Sequence, residues 1–382
     1  MSKHYDLIVI SAEPFPYGQA ATNRMLSYLQ GISEDKSVLY LCTASSSNTD
    51  THNRFKTGIY HGIEYRYIES PIVLRKSNKI TRAFRLFWRY LMLCILVLFK
   101  YSCKSILLYS SQKLPIKLVR RIAYIKRVHI FRDITELVGY NYSKDPQNIE
   151  RMKIEMSKFS GIISISQGIF DYFDNIPQSR KFLLPVLVDM NRFAISTKKN
   201  KTIFVCSGAN LERDGLLDSL NGFILFNEKY PGYTFEIASS ININDSYHKR
   251  CLDLIEMYPS LFKLLGPLPS YLIPEKMLSA SALILTPHNN YQTKGFPTKL
   301  GEYLASGTPT ICSMIDDLSG VINANVVYPV KPNSPQMIAD ALYSILIGNE
   351  GIESMSSSAR KFMRDNYTVH AYKEKLISFL QI

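Results

Sequence analysis

The chain has 382 residues, 46 % of them apolar and 20 % charged, which excludes a disordered or fibrous protein and suits two domains that each bury their own core. Its 45 Lys and Arg against 32 Asp and Glu leave a net charge of +13, enough to draw an anionic partner: nucleic acid, a membrane surface, or diphosphate substrates on lipid carriers. Six cysteines scattered without a C-x-x-C pair or ligand spacing argue for reduced core thiols, so no metal site is expected from them.

The chain goes almost at once into a strand-like run at 7–11, which leaves no room for a signal peptide and implies a cytoplasmic protein. The Pro/Gly loop 13–24 and a helix with apolar positions at Ala21, Met25, Tyr28 and Leu29 complete a first βα unit. Gly18 at the loop's tip permits close backbone approach to a ligand, although such a loop is also ordinary on a surface. There is no G-x-G-x-x-G here, so the nicotinamide fingerprint is excluded. Strands are expected at 38–42 and 63–68, with a polar, mobile loop at 43–50.

The segment 75–99 has an unusual composition. Arg75, Lys76, Lys79, Arg82, Arg85 and Arg89 alternate with Ile80, Phe84, Phe87 and Trp88, ahead of an apolar run at 90–99. Ten apolar residues are too few for a bilayer that needs roughly 20, so the run reads as a buried helix with a basic, aromatic front end. That front end is either a solvated basic face or a peripheral contact with an anionic membrane. Nucleic-acid binding lacks any zinc-finger, helix-turn-helix or RNP-like signature and is not expected.

Further strands are expected at 105–110 and 128–131, with helices at 116–123 and 148–158. Asp133 and Glu136 fall just past a strand's carboxyl end, where α/β folds place functional groups and where surface carboxylates are also common. The polar, cationic stretch 196–201 is the best linker. It separates an α/β domain at 1–190 from a second at 200–360. A new βα unit begins with a strand at 203–207 and a loop carrying Gly208 and Arg213; Arg213 is suited to a bidentate grip on a diphosphate. Strands at 235–239, 262–265, 282–286, 310–313 and 326–330 follow, with helices at 274–280, 335–347 and a pair within 356–382. His288 lies in the loop after the 282–286 strand, with no partner visible in the sequence.

The run 295–309, GFPTKLGEYLASGTP, delivers a loop onto a short helix that starts near Pro297 and stops before Gly307. Leu300, Tyr303 and Leu304 share its buried stripe. Lys299 and Glu302 lie near its amino end, where the helix dipole and free N–H groups favour an anion. The spacing fits an amphipathic helix with a solvated ion pair. On spacing alone that is the leading reading; the other is a nucleoside-diphosphate site in which Lys299 meets phosphate and Glu302 accepts from the ribose.

This run resembles the nucleotide-binding segment of glycosyltransferase family 4 (glycosyl transferases group 1), retaining nucleotide-sugar transferases with two facing Rossmann-like domains, the GT-B type, and a cleft between them. The resemblance implies a doubly wound α/β fold and a terminal helix, within 361–382, packed back on the first domain through Phe379 and Leu380. It places the glycine-bearing loop at Gly18 and the phosphate loop at Gly208 and Arg213 around the donor. Asp133 and Glu136 become acceptor-side candidates, and the 266–269 turn, G-P-L-P, meets the base. Arg213 and Lys299 are implied to be catalytic, stabilising the departing diphosphate. Family members usually carry a second Glu eight positions before Glu302; here that position is Lys294, so only the backbone of Lys294, Gly295 and Phe296 is left to meet the donor.

The implied activity is sugar transfer from a nucleoside-diphosphate sugar to a saccharide or lipid-linked saccharide, in surface polysaccharide or glycan synthesis. No D-x-D pair occurs, so no obligatory metal and no other cofactor are expected. The alternatives are an inactive donor-binding subunit and a sugar-nucleotide epimerase on the same fold.

Overall fold

A computed structural model describes residues 2–382 apart from 19, 46–51, 73–77, 110–112, 136, 138–145, 207–209, 289–297, 316–317, 319–321 and 349–350. The chain divides into two compact units. The first comprises Met1–Leu187 and Val369–Ile382, and the second Val188–Gln292 and Pro297–Thr368.

The first unit is built on an eight-stranded sheet: β1 (Lys3–Ser11), β2 (Val38–Cys42), β3 (Thr57–Tyr60), β4 (Ile63–Tyr67), β5 (Tyr101–Tyr109), β6 (His129–Ile134), β7 (Gly161–Ser164) and β8 (Lys181–Leu183). Their order is β3-β4-β2-β1-β5-β6-β7-β8, parallel except for the β3/β4 pair. The last five residues of β1 are all buried, as expected for a strand covered on both faces. The antiparallel pair closes through His61 and Gly62, both at positive φ (47° and 76°), the backbone of a two-residue type I′ turn. The four residues of β3 carry too short an alternation to read as a strand in sequence, and the His-Gly turn was the signal for it.

Residues 369–382 belong to this unit's core. Leu376, Ile377 and Leu380 of the Lys373–Leu380 helix are buried with Leu7, Val9, Tyr28 and Leu107. Phe379 packs its ring 5.2 Å from those of Phe131 and Phe182. Ser105 donates to the Leu380 carbonyl at 2.6 Å. Each such apolar side chain contributes roughly 1.5–3 kcal/mol by burial.

The second unit carries a wholly parallel six-stranded sheet: β9 (Thr202–Cys206), β10 (Thr234–Ala238), β11 (Phe262–Leu264), β12 (Ala282–Leu285), β13 (Thr310–Ser313) and β14 (Tyr328–Val330), in the order β11-β10-β9-β12-β13-β14. Phe223, Phe226, Phe235 and Phe262 fill its core beside Ile338 and Leu342. In both sheets the strand order turns back at one place, between β1 and β5 and between β9 and β12. Loops leaving the carboxyl ends of strands at such a point diverge and open a crevice.

The apolar run 90–99, expected to be buried, is so only on one side: Tyr90, Leu93, Leu96 and Val97 are buried, whereas Leu91, Ile95 and Phe99 are exposed. The segment around it forms a helix at Lys79–Ile95 and a π-turn at Leu96–Lys100, and one side of the helix carries large apolar residues into solvent. Arg75, Lys76 and the loop residues 46–50 lie outside the described residues.

Candidate nucleotide-sugar site

The switch point of the second unit gathers the loop after β9, the loop after β12 and the amino end of the Thr298–Ser306 helix. That helix is anchored as its pattern predicts: Leu300, Tyr303 and Leu304 are buried, and the Tyr303 hydroxyl accepts from the Cys206 N–H at 2.8 Å. The bond ties the helix to the end of β9 and leaves the Tyr303 phenol in a desolvated place that raises its pKa well above 10.

Gly215 opens the Leu216–Lys229 helix with φ +69°, a conformation that suits glycine. It lies so close to β12 that a Cβ there would sit 1.9 Å from the Thr286 carbonyl oxygen. Thr286 in turn donates its hydroxyl to the Gly215 carbonyl at 3.0 Å. The two loops are thereby locked together, and the backbone of His288 donates to the Arg213 carbonyl at 3.3 Å.

This lock sets the charged groups. Asp214, buried, accepts from Lys299 Nζ at 2.5 Å on one oxygen and from Arg213 Nε at 3.4 Å on the other. Lys299 and Arg213, 86 positions apart in sequence, thus share one carboxylate. Arg213 keeps a third of its side chain exposed, against 18 % for Lys299. Three residues beyond Lys299, Glu302 accepts from Arg192, whose second guanidinium nitrogen donates to the Ser270 carbonyl at 3.1 Å. His288 Nε2 stands 2.8 Å from Asp218 Oδ2, without the alignment of a hydrogen bond.

Asp214 and Arg192 were not singled out from sequence as site residues. An Asp beside an Arg, and an Arg before a Phe, are common pairs, and only the fold brings them to Lys299 and Glu302. Gly208, Lys294, Gly295 and Phe296, expected at the donor, lie outside the described residues, as does Glu136.

In the first unit the loop after β1 is held by Tyr67, whose hydroxyl accepts from the Phe15 N–H and donates to the Phe15 carbonyl, both at 2.9 Å. Gly18 packs against Thr22, where a Cβ would come within 2.0 Å of the hydroxyl oxygen. Burial pushes the Glu13 carboxyl upward at the same sheet end, a group the sequence offered no reason to choose.

Asp133, expected to face an acceptor, has a different setting. Its side chain is 0 % exposed and is gripped by Arg24, with Nη2 3.0 Å from one oxygen and Nε 3.1 Å from the other. Tyr28 donates a further bond at 3.1 Å, and Arg24 also reaches the carbonyls of Leu184 and Pro185. A carboxylate so enclosed and satisfied is a core ion pair, leaving no face for a ligand. Among the described residues no group of three or more His, Cys, Asp or Glu is placed to hold a metal ion.

Residues 189–362 match the family described as Glycosyl transferases group 1. No curated protein sequence matches the chain. Among solved structures, sucrose-phosphate synthase from Thermosynechococcus elongatus is similar with a TM-score of 0.71 at 13 % identity, over 98 % of each chain. Anabaena HepE in complex with UDP and glucose gives 0.72 at 12 % identity, over 98 % of this chain and 99 % of that one. A point mutant of S. aureus TarM in complex with fondaparinux, alpha-GlcNAc-glycerol and UDP gives 0.60 at 15 % identity, over 76 % of this chain and 59 % of that one.

Proposed function

We propose that this chain, which has the GT-B fold and matches the glycosyl transferases group 1 family at residues 189–362, is a retaining glycosyltransferase, moving a sugar from a nucleoside-diphosphate sugar to a saccharide or lipid-linked saccharide in surface polysaccharide or glycan synthesis. The observation that carries the reading is the convergence of Arg213 and Lys299 on Asp214 at the switch point of the second sheet, with Glu302 one helical turn from Lys299.

The hard step in such a transfer is departure of the diphosphate, because negative charge collects on the bridging oxygen as the sugar bond breaks. Cations held in advance stabilise that charge more in the transition state than in the ground state. In this reading Lys299 and the amides at the start of its helix meet the phosphates, and Arg213 swings its exposed guanidinium onto them. Asp214 keeps the ammonium of Lys299 aimed, and Glu302 accepts from the ribose hydroxyls. HepE and TarM were solved with UDP, which supports a nucleoside diphosphate as the common part of the donor. The departing phosphate receives the proton of the incoming hydroxyl, so the scheme uses no paired carboxylates; with no D-x-D pair in the sequence it calls for no obligatory divalent ion. A peripheral contact with the inner face of an anionic membrane, through residues 75–99, completes the reading and suits a lipid-linked acceptor.

The test is a thermal-shift panel of nucleoside diphosphates and their sugar conjugates, since a ligand at 100 times its dissociation constant adds about 2.7 kcal/mol of stability. The matching conjugate is expected to raise the midpoint, and Lys299→Ala and Arg213→Ala each to abolish or strongly reduce the rise. Unchanged shifts in both variants reject the phosphate assignment. Release of free nucleoside diphosphate by the wild type separates transfer from an inactive binding subunit and from epimerisation.

A further inference from the structure

Between Glu69 and Asp133 the chain runs for 63 residues without an Asp or Glu, and this stretch holds fifteen of its 45 Lys and Arg. The remaining 30 are balanced by all 32 acidic residues, so the surplus of +13 belongs to this one region.

The Lys79–Ile95 helix lies inside the stretch and is inverted relative to a solvated helix. Ile80, Phe84, Phe87, Trp88, Leu91 and Ile95 are all exposed, Phe84 at 65 % and Trp88 at 48 %. With 3.6 residues per turn they share an arc of about 100°, and no charged position of the helix falls within it. Leu93, on the opposite side, is buried. Arg85 and Arg89 lie on the flank toward the protein and both pair with Glu69, at 3.0 and 2.9 Å. Exposed apolar surface continues at Phe99 and at Tyr124 and Ile125 of the Lys113–Lys126 helix. The neighbouring Lys126 ties that second helix to the end of the first through the carbonyls of Val97 and Tyr101, at 2.8 and 2.7 Å.

We propose that this two-helix face is the seat of an anionic lipid bilayer. The apolar arc enters the boundary between headgroups and acyl chains, and exposed cations such as Arg82, Lys100, Arg121 and Arg127 meet the lipid phosphates. The contact lies in the membrane plane: no described helix is long and apolar enough to cross. The inference deepens the membrane part of the function proposed above and rests on it, and within residues 75–99 it assigns the anchor to the apolar arc. Nucleic acid would occupy the cations and leave six apolar side chains in water. A second copy of this chain would bring two stretches of the same sign together.

Trp88 is the chain's only tryptophan, so its emission reports from the middle of the face. With the full chain, vesicles of phosphatidylcholine and phosphatidylglycerol are expected to shift Trp88 emission to the blue and to carry the protein down on sedimentation. Pure phosphatidylcholine and high salt should each weaken the effect roughly tenfold or more, as screening demands. Phe84→Asp combined with Leu91→Asp should abolish vesicle binding while keeping the wild-type thermal midpoint and its nucleotide-induced rise; the Arg85→Gln, Arg89→Gln pair should keep most of the binding.

Unchanged Trp88 emission with anionic vesicles overturns the proposal. So does an equal blue shift with single-stranded nucleic acid, or a blue shift that grows with protein concentration in lipid-free buffer. Loss of the nucleotide response with vesicle binding intact would sink the transfer reading and leave this surface standing.

Discussion

The guanidinium of Arg192 holds the carboxylate of Glu302 with one nitrogen and the carbonyl of Ser270 with another. Charge-assisted bonds of this kind are worth about 1.5–3 kcal/mol each. If Glu302 meets a ribose and the 266–269 turn a base, Arg192 sets the first directly and the second through the adjoining Ser270. Arg192→Ala is then expected to weaken nucleoside-diphosphate binding roughly 10- to 100-fold and to leave the affinity for inorganic pyrophosphate unchanged. Calorimetry with the two ligands checks this; an equal loss for both places Arg192 on the phosphates instead.

Asp214 draws Lys299 away from any anion that arrives, yet it also fixes where the ammonium stands. Asp214→Asn removes the charge and keeps the shape. The expected result is a donor KM no higher than wild type with kcat at least roughly tenfold lower, the pattern of lost transition-state aim with retained ground-state binding. Steady-state kinetics at saturating acceptor decides it. A raised KM with unchanged kcat would assign Asp214 to donor binding.

Gly215→Ala puts a methyl group where the Thr286 carbonyl stands and requires an unfavourable positive φ. The strain is expected to cost about 2 kcal/mol or more. Because Gly215 spaces the loop that carries Arg213, nucleotide binding should fall with stability. Urea unfolding and the nucleotide thermal shift measure the two effects, and an unchanged denaturation midpoint would refute the close approach.

Asp133→Asn leaves Arg24 buried and charged beside a neutral amide. Breaking a buried pair from one side typically costs about 3–5 kcal/mol. The predicted consequence is a large fall in the denaturation midpoint of the first unit, while donor binding by the folded protein stays at the wild-type level. A donor affinity that dropped with no loss of stability would return Asp133 to a ligand-facing role.

Lys199 donates to the Ala280 carbonyl at 2.7 Å and to Thr308 Oγ1 at 2.8 Å, and burial lowers its pKa to about 8. The unfolded chain holds this proton up to the ordinary value near 10.5. Between those two values the unfolded state binds more protons, so this group makes stability rise with pH. Below pH 8 its full cost is present. Comparing wild type with Lys199→Met, the difference in unfolding free energy should change in favour of wild type from about pH 8 to about pH 10. A constant difference would mean that the ammonium is not desolvated.

The sheets were legible in sequence because their strands are short apolar runs bounded by turn residues, and β2 and β13 lie where the runs at 38–42 and 310–313 predict them. Lys299, Glu302 and Arg213 could be chosen because the runs that carry them resemble a family's nucleotide-binding segments; spacing and loop position alone also suit a solvated ion pair and a surface arginine. Their partners could not be chosen, since Asp214–Lys299 and Arg192–Glu302 join positions 85 and 110 apart. Asp133 misled for the same reason: its arginine lies 109 residues away in the chain. The Lys79–Ile95 helix shows a further limit. Periodicity tells which side chains share a face, but not whether that face meets a core or the outside.

The strand-rich first unit borrows its last core-filling helix from a segment synthesised after the whole of the second. Until residues 369–382 leave the ribosome, the pocket for Leu376, Ile377 and Leu380 stands open on the growing chain. The unit translated first is therefore the one that matures last, and a nascent chain stalled anywhere in the second unit would display a sticky, unfinished surface to chaperones.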